Sequence, residues 1–377
     1  MKKFFLSVFT LSALMFASCS DDDDNTNDDD GGSGITIDPN DFQLTINGDV
    51  ELDNAFTYNL TGPVIVSDGA SLTIPEGTVI EATGGTSAYI AVAQGGEIFI
   101  NGESDNPVIM TSGEAAPAPG DWGGLVVCGK APTNKGGSGG QTATSEVADL
   151  TYGGSEVNDN SGSIRYLRIE YTGAEFSGDK QFNGLSLFGV GKGTTVEYVQ
   201  SFDGRDDGIE FFGGTVDGKY LVSTGSGDDS IDFADGWAGT GSYWYISGGA
   251  KAGIEGSNNG DDGAATPMTN ATLENISIVG PGSEGGMYIK EGGGMWSASN
   301  IYIEGFEKGI YIKSATDDPE ANARVAAGDI TFDNIQFETV DQMTDYVGST
   351  DFITEGNNNG AGNGADMPDW AQGWTRQ

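Results

Sequence analysis

The phrase Asp206-Asp207-Gly208-Ile209-Glu210-Phe211 returns twenty-two positions later as Asp228-Asp229-Ser230-Ile231-Asp232-Phe233. Self-similarity at such an interval marks a chain built from stacked units, and it constrains the fold more than any composition does. Leu185, Ile209, Ile231, Ile254, Met287 and Ile310 form an apolar column with steps of 24, 22, 23, 33 and 23 residues. Two places on stand Leu187, Phe211, Phe233, Gly256, Ile289 and Ile312, and between the two columns Ser186, Glu210, Asp232, Glu255, Tyr288 and Tyr311. Apolar, polar, apolar is the alternation of a strand with one buried face.

A second column reads Leu167, Val199, Leu221, Tyr245, Ile276, Ile301 and Ile335, preceded by Tyr166, Tyr198, Tyr220, Trp244, Asn275, Asn300 and Asn334. Like side chains at a fixed repeat position stack when neighbouring strands lie about 4.8 Å apart. An antiparallel sandwich would not preserve such ladders. The expected architecture is all-β: a right-handed parallel β-helix, a single-stranded solenoid with about 22–25 residues per coil.

The ends read differently. Lys2 and Lys3 followed by "FFLSVFTLSALMFA" form a secretory signal over 1–18, too short for a spanning helix. Residues 19–34 carry "SDDDDNTNDDDGGSG", whose like charges and glycines read as a disordered spacer. An N-terminal cap is expected over 35–60, the β-helix over 61–344 and a C-terminal cap over 345–377, with Trp370 and Trp374 covering the last coil. The segments "GSNNGDDGAATPMTN" and Lys130 to Gly162 read as inserted loops, where solenoids usually place binding surfaces.

With 57 acidic against 16 basic residues the formal net charge is −41, which disfavours nucleic acid and anionic lipid surfaces as partners. The absence of histidine removes His-based triads, imidazole general bases and His-ligated zinc. No nucleotide loop or haem motif is present. Cys128, within "LVVC", reads as a packed, inert thiol.

The stretch "FASC" resembles a bacterial lipobox, which implies acylation of Cys19, and the acidic run after it resembles the signal that sends lipoproteins of Bacteroidota to the outer face of the outer membrane. "DDGIEFFGGTV", "GDDSIDFADGW" and "GDWGGLVV" resemble a family of secreted bacterial β-helix lipoproteins, whose fold is shared with pectate lyases and polygalacturonases. The resemblance implies a fold and a location and transfers no reaction.

Stacking also sets a charge problem. Glu210, Asp232 and Glu255 are expected as an outward row, one per coil. Carboxylates roughly 5 Å apart repel by about 0.8 kcal/mol in water and about 3 kcal/mol at an effective dielectric near 20. Side chains can splay into solvent, take up protons, or bind a cation. Calcium suits such oxygens, and Asp206, Asp207, Asp228, Asp229, Glu210 and Asp232 are the candidate ligands. Turn aspartates equally cap their own backbone. A ligand surface is expected from Phe212, Trp237, Tyr243, Glu255, Tyr288, Lys290 and Tyr311, with aromatic faces stacking on sugar rings. The functional expectation is a lipid-anchored binding or adhesion module for a glycan or surface protein, stabilised by calcium. Two alternatives stand beside it: a calcium-dependent polysaccharide lyase, and an accessory ligand-capture lipoprotein of an outer-membrane import receptor.

Overall fold

A computed structural model describes residues 35–136, 141–178 and 180–377. The signal segment, Cys19 and the acidic spacer lie outside the described residues. The chain winds alternately through two stacks of short parallel strands. Among the described residues, one sheet of eleven strands runs from Leu44–Ile46 to Gln342–Thr344, and one of fourteen runs from Asp49–Glu51 to Ile353–Glu355, with Thr57–Leu60, Val79–Ala82 and Val108–Ser112 as a side branch in the first coils. This is the expected right-handed parallel β-helix.

Register follows the sequence columns. Leu185, Ile209, Ile231, Ile254, Met287 and Ile310 are direct neighbours up the first sheet. These side chains, with Leu187, Phe211, Phe233, Ile289 and Ile312, point inward into one continuous apolar core. Burial on this scale outweighs the weak preferences of individual strands, so Ile231→Ala should destabilise by about 2–5 kcal/mol.

Seven long strands of the second sheet, from Gly162–Glu170 to Ile330–Glu338, each bend at one residue held in the left-handed region. Tyr166, Tyr198, Tyr220, Tyr243, Asn275, Asn300 and Asn334 all have φ between 49° and 58°. The sequence columns put Trp244 in this row. The register instead pairs Leu221 with Trp244 and Trp244 with Ile276, so Trp244 lies in the core and Tyr243 at the bend. Left-handed backbone disfavours bulky side chains; stacking offsets that strain. The Tyr166–Tyr198 and Tyr198–Tyr220 rings stack at 4.3 and 4.5 Å. Higher up, Asn300 Nδ2 donates to Asn275 Oδ1 at 3.2 Å and Asn334 Nδ2 to Asn300 Oδ1 at 2.7 Å.

Two segments depart from the expected caps. Within 35–60, Leu44–Ile46, Asp49–Glu51 and Thr57–Leu60 already pair in parallel with the next coil, because their alternating apolar residues match its inward face. Beyond Ile353–Glu355, which adds a last rung, the tail does not cover the last coil. It turns back along the outside of the second sheet, and Trp374 meets Tyr198 and Tyr166 many coils earlier.

Candidate metal centre and adjoining cleft

The outward column of the first sheet reads Ala91, Val126, Ser186, Glu210, Asp232, Glu255, Tyr288, Tyr311 from coil to coil. The predicted acid row is therefore real as geometry. Its exposure is not as expected: Glu210, Asp232 and Glu255 are only 7 %, 8 % and 4 % exposed. The inserted loops account for the difference. Asn134, from the first insert, donates to Asn258 Oδ1 at 3.2 Å, and Asn259 donates back to Asn134 Oδ1 at 2.9 Å, tying two loops together beside this sheet. Tyr152 and Val147 of the first insert join Cys128, Phe188 and Phe212 in a second apolar cluster on the outer side of the sheet. Burial pushes the Cys128 thiol up to about 12, so it is an inert packing group.

Burial removes splaying into water as an answer to the charge. Carboxylate oxygens of Asp207, Glu210 and Asp232 lie within 4.8 Å of one another, as do those of Asp206, Asp207 and Asp228, and those of Asp229, Glu255 and Glu284. Some have partners. Asp207 Oδ1 accepts from the Asp229 amide at 2.8 Å, and Asp229 Oδ1 from the Ala252 amide at 2.5 Å. Asp207 and Asp229 thus bond the backbone of the following coil, while Asp206 bonds the Asp207 backbone of its own turn. Asn183 Nδ2 donates to Glu210 at 2.5 Å. Asp232 Oδ1 is buried and has no hydrogen-bond partner among the described residues. An orphaned buried acceptor of this kind is costly unless something fills its place.

Every acid of the column is pushed toward the protonated form. Burial, then the charges of neighbouring carboxylates, holds Asp207, Glu210 and Asp232 well above the usual range. Burial and the charge of Glu255 raise Asp229 to about 9, and burial and Asp228 raise Asp206 to about 6. Burial also raises Glu255, against the pull of Lys290, whose Nζ lies 2.7 Å away. Two acids outside the expected set join here. Glu146, in the first insert, is raised to about 7 by burial and by Asp206, and Glu284 completes the group with Asp229 and Glu255. Glu146 stands outside the repeat, so column reading could not find it; Glu284 occupies the repeat position of Asp206, Asp228 and Lys251, one coil beyond Lys251.

Above the acids the column opens into a cleft of about 380 Å³ lined by Lys251, Glu284, Tyr288, Lys290, Glu291 and Lys313. Its lysines near the acids are paired: Lys251 Nζ lies 2.5 Å from Asp228 Oδ1, and Lys290 bridges Glu255 and Glu291. Burial alone would lower both ammonium groups, but the adjacent carboxylates outweigh it and raise them.

The expected aromatic platform is not available. Trp237 is fully buried in the core, its indole N–H donating to the Val216 carbonyl at 3.0 Å. Phe212 lies face to face with Phe188 at 4.0 Å inside the second cluster. Tyr243 stacks on Tyr220 in the bend column. Tyr288 and Tyr311 stack on each other at 4.5 Å, and Lys308 Nζ sits 3.9 Å from the Tyr311 ring centre. Faces already covered by neighbours cannot receive a sugar ring. The repeat that lines these residues up is also what closes them off.

A family model described as a pectate-lyase like beta helix domain matches residues 44–375. No curated protein and no solved structure matches the chain.

Proposed function

The chain belongs to the pectate-lyase-like β-helix family, and from that premise we propose that it is a surface-anchored, non-catalytic binding module whose buried acid column is organised by a divalent cation. Calcium fits the donor set, which is all oxygen and irregular, and it would be held by Asp207, Glu210 and Asp232, with Asp206, Asp228 and Asp229 beside them. The observation that carries this reading is Asp232: a buried carboxylate oxygen without a hydrogen-bond partner among the described residues, facing two more acids. The bound ion would supply the countercharge that the fold itself leaves out.

The ligand would enter the cleft above, where paired lysines and carboxylates alternate around Tyr288. Such a lining suits a polyhydroxyl chain held by hydrogen bonds at its edges, a glycan recognised without ring stacking. The lipid anchor at Cys19, on the outer face of the outer membrane, rests on the signal-like sequence alone. The lyase alternative needs a neutral basic side chain beside the acids. Lys251 and Lys290 are held in the charged form by Asp228 and Glu255, which speaks against it. Partnership with an import receptor remains compatible with a binding module and would add a second contact surface.

Incubating the chain with a panel of acidic and neutral polysaccharides in calcium separates these readings. The module should retain at least one glycan on an affinity gel and release no unsaturated product. Steady growth of ultraviolet absorbance would establish a lyase instead.

A further inference from the structure

The tail after Glu355 makes contacts that no β-helical repeat requires. It crosses the strands of the second sheet coil by coil: Asn358 Nδ2 donates to the Asn334 carbonyl at 2.7 Å, Ala361 N to Ser277 Oγ at 3.0 Å, and Tyr245 OH to the Ala365 carbonyl at 2.9 Å. Trp370 then meets Tyr220 at 5.1 Å, and Trp374, fully buried, sets its indole edgewise against Tyr198 and Tyr166.

The last contact is of a different kind. The fully buried Gln200 reads both main-chain groups of Arg376: its Oε1 accepts from the Arg376 amide at 2.7 Å and its Nε2 donates to the Arg376 carbonyl at 2.8 Å. The guanidinium reaches Glu170 Oε2 at 2.8 Å and lies over the rings of Tyr171 and Phe202, at 5.3 and 4.8 Å from their centres. Glu170 is 2 % exposed and is anchored independently of the tail, by Arg168 at 2.6 Å and Thr111 at 2.9 Å. If Arg376 left, the carboxylate would still be paired, so the site would keep its shape when empty. A strap that only packs needs no paired amide and no buried acid held against its guanidinium.

We propose that Glu170, Tyr171, Gln200 and Phe202, with Tyr166 and Tyr198, form a recognition site for a Trp-x-Arg peptide segment, filled in the folded chain by its own Trp374-Thr375-Arg376. Gln200 reads the backbone, the carboxylate and rings read a guanidinium, and the two tyrosines read the indole. Lysine would lose the planar fork and the stacking. Because the occupant is tethered, a second peptide meets an effective concentration in the millimolar range and binds only where the tail has been weakened. The site lies on the second sheet and is independent of the cation and cleft.

The test uses the full-length chain and a dye-labelled peptide of residues 369–377, followed by fluorescence anisotropy. W374A/R376A, whose own tail lacks both side chains, should bind the peptide saturably. The wild-type chain should bind it at least about tenfold more weakly. A peptide with Arg376→Ala should lose about tenfold or more of its affinity. Should W374A/R376A fail to fold, Arg376→Glu, which sets a second carboxylate against Glu170, serves as the emptied chain with the same expectation. Saturable binding that depends on the peptide arginine and is suppressed in the wild type supports the site. Absence of saturable binding to both emptied chains, equal binding by the wild type, or indifference to the peptide arginine overturns it.

Discussion

On one side of the solenoid Tyr166, Tyr198, Tyr220 and Tyr243 stack and give way to Asn275, Asn300 and Asn334; on the other Ser186 gives way to Glu210, Asp232 and Glu255 and then to Tyr288 and Tyr311. Both columns put like on like at the spacing of a strand. The first uses groups that satisfy their own kind, since rings stack on rings and an amide can donate to one neighbour and accept from the other, as Asn300 does. The second uses groups that cannot, because ionised carboxylates only accept. A fold that tolerates the second column must bring in protons or a cation, and this difference marks the acid column as a site where the bend column is scaffold.

The comparison breaks most visibly if the cation is withheld. Calcium at a thousandfold excess over its dissociation constant should stabilise the chain by about 4 kcal/mol, read as a shift of the urea midpoint against a chelator-treated sample. An unchanged midpoint would remove the metal from the acid column. Breaking the other column should cost nearly as much: Asn300→Val loses the bonds to Asn275 and Asn334 and puts a β-branched residue at φ 56°, for about 3 kcal/mol. That value should not depend on calcium.

Changes of pH sharpen the contrast. The folded Asp206 and Asp229 hold their protons to about 6 and about 9, against an ordinary 3.8. Their contribution is full below the unfolded value and is lost as pH rises through the folded ones. In chelator the midpoint should therefore be higher at pH 5 than at pH 8, and calcium should flatten the slope by replacing the protons. A chelated chain more stable at pH 8 would contradict this.

Asp232→Asn should act in opposite directions in the two media. It relieves repulsion and raises stability by about 1 kcal/mol in chelator, while weakening calcium affinity about tenfold or more by titration calorimetry. The smallest effect is expected where one self-satisfying group replaces another: Tyr243→Asn exchanges a stack on Tyr220 for an amide beside Asn275, within about 1 kcal/mol of the native chain.

The repeat was legible because burial and register leave period-bound columns; Leu185 to Ile310 could be read off directly. The one slip, Trp244 for Tyr243, arose in "SYWYIS", where aromatic residues fit either register and only the left-handed bend decides. The acid row was legible as a row and not as a buried one, because its covering comes from inserts that obey no period. Asn134 and Glu146 belong to that covering, and Asn258 and Asn259 meet it from the second insert. The path of the tail was invisible for a related reason: contacts such as Arg376 to Glu170 run along the solenoid axis between parts of the chain with no shared pattern.

The most direct measurement is anomalous diffraction from crystals of the chain grown in calcium at neutral pH. The account predicts a peak at about 2.3–2.6 Å from carboxylate oxygens of Asp207, Glu210 and Asp232. A map with no peak there, and those three acids hydrogen-bonded to one another as protonated carboxyls, would contradict it.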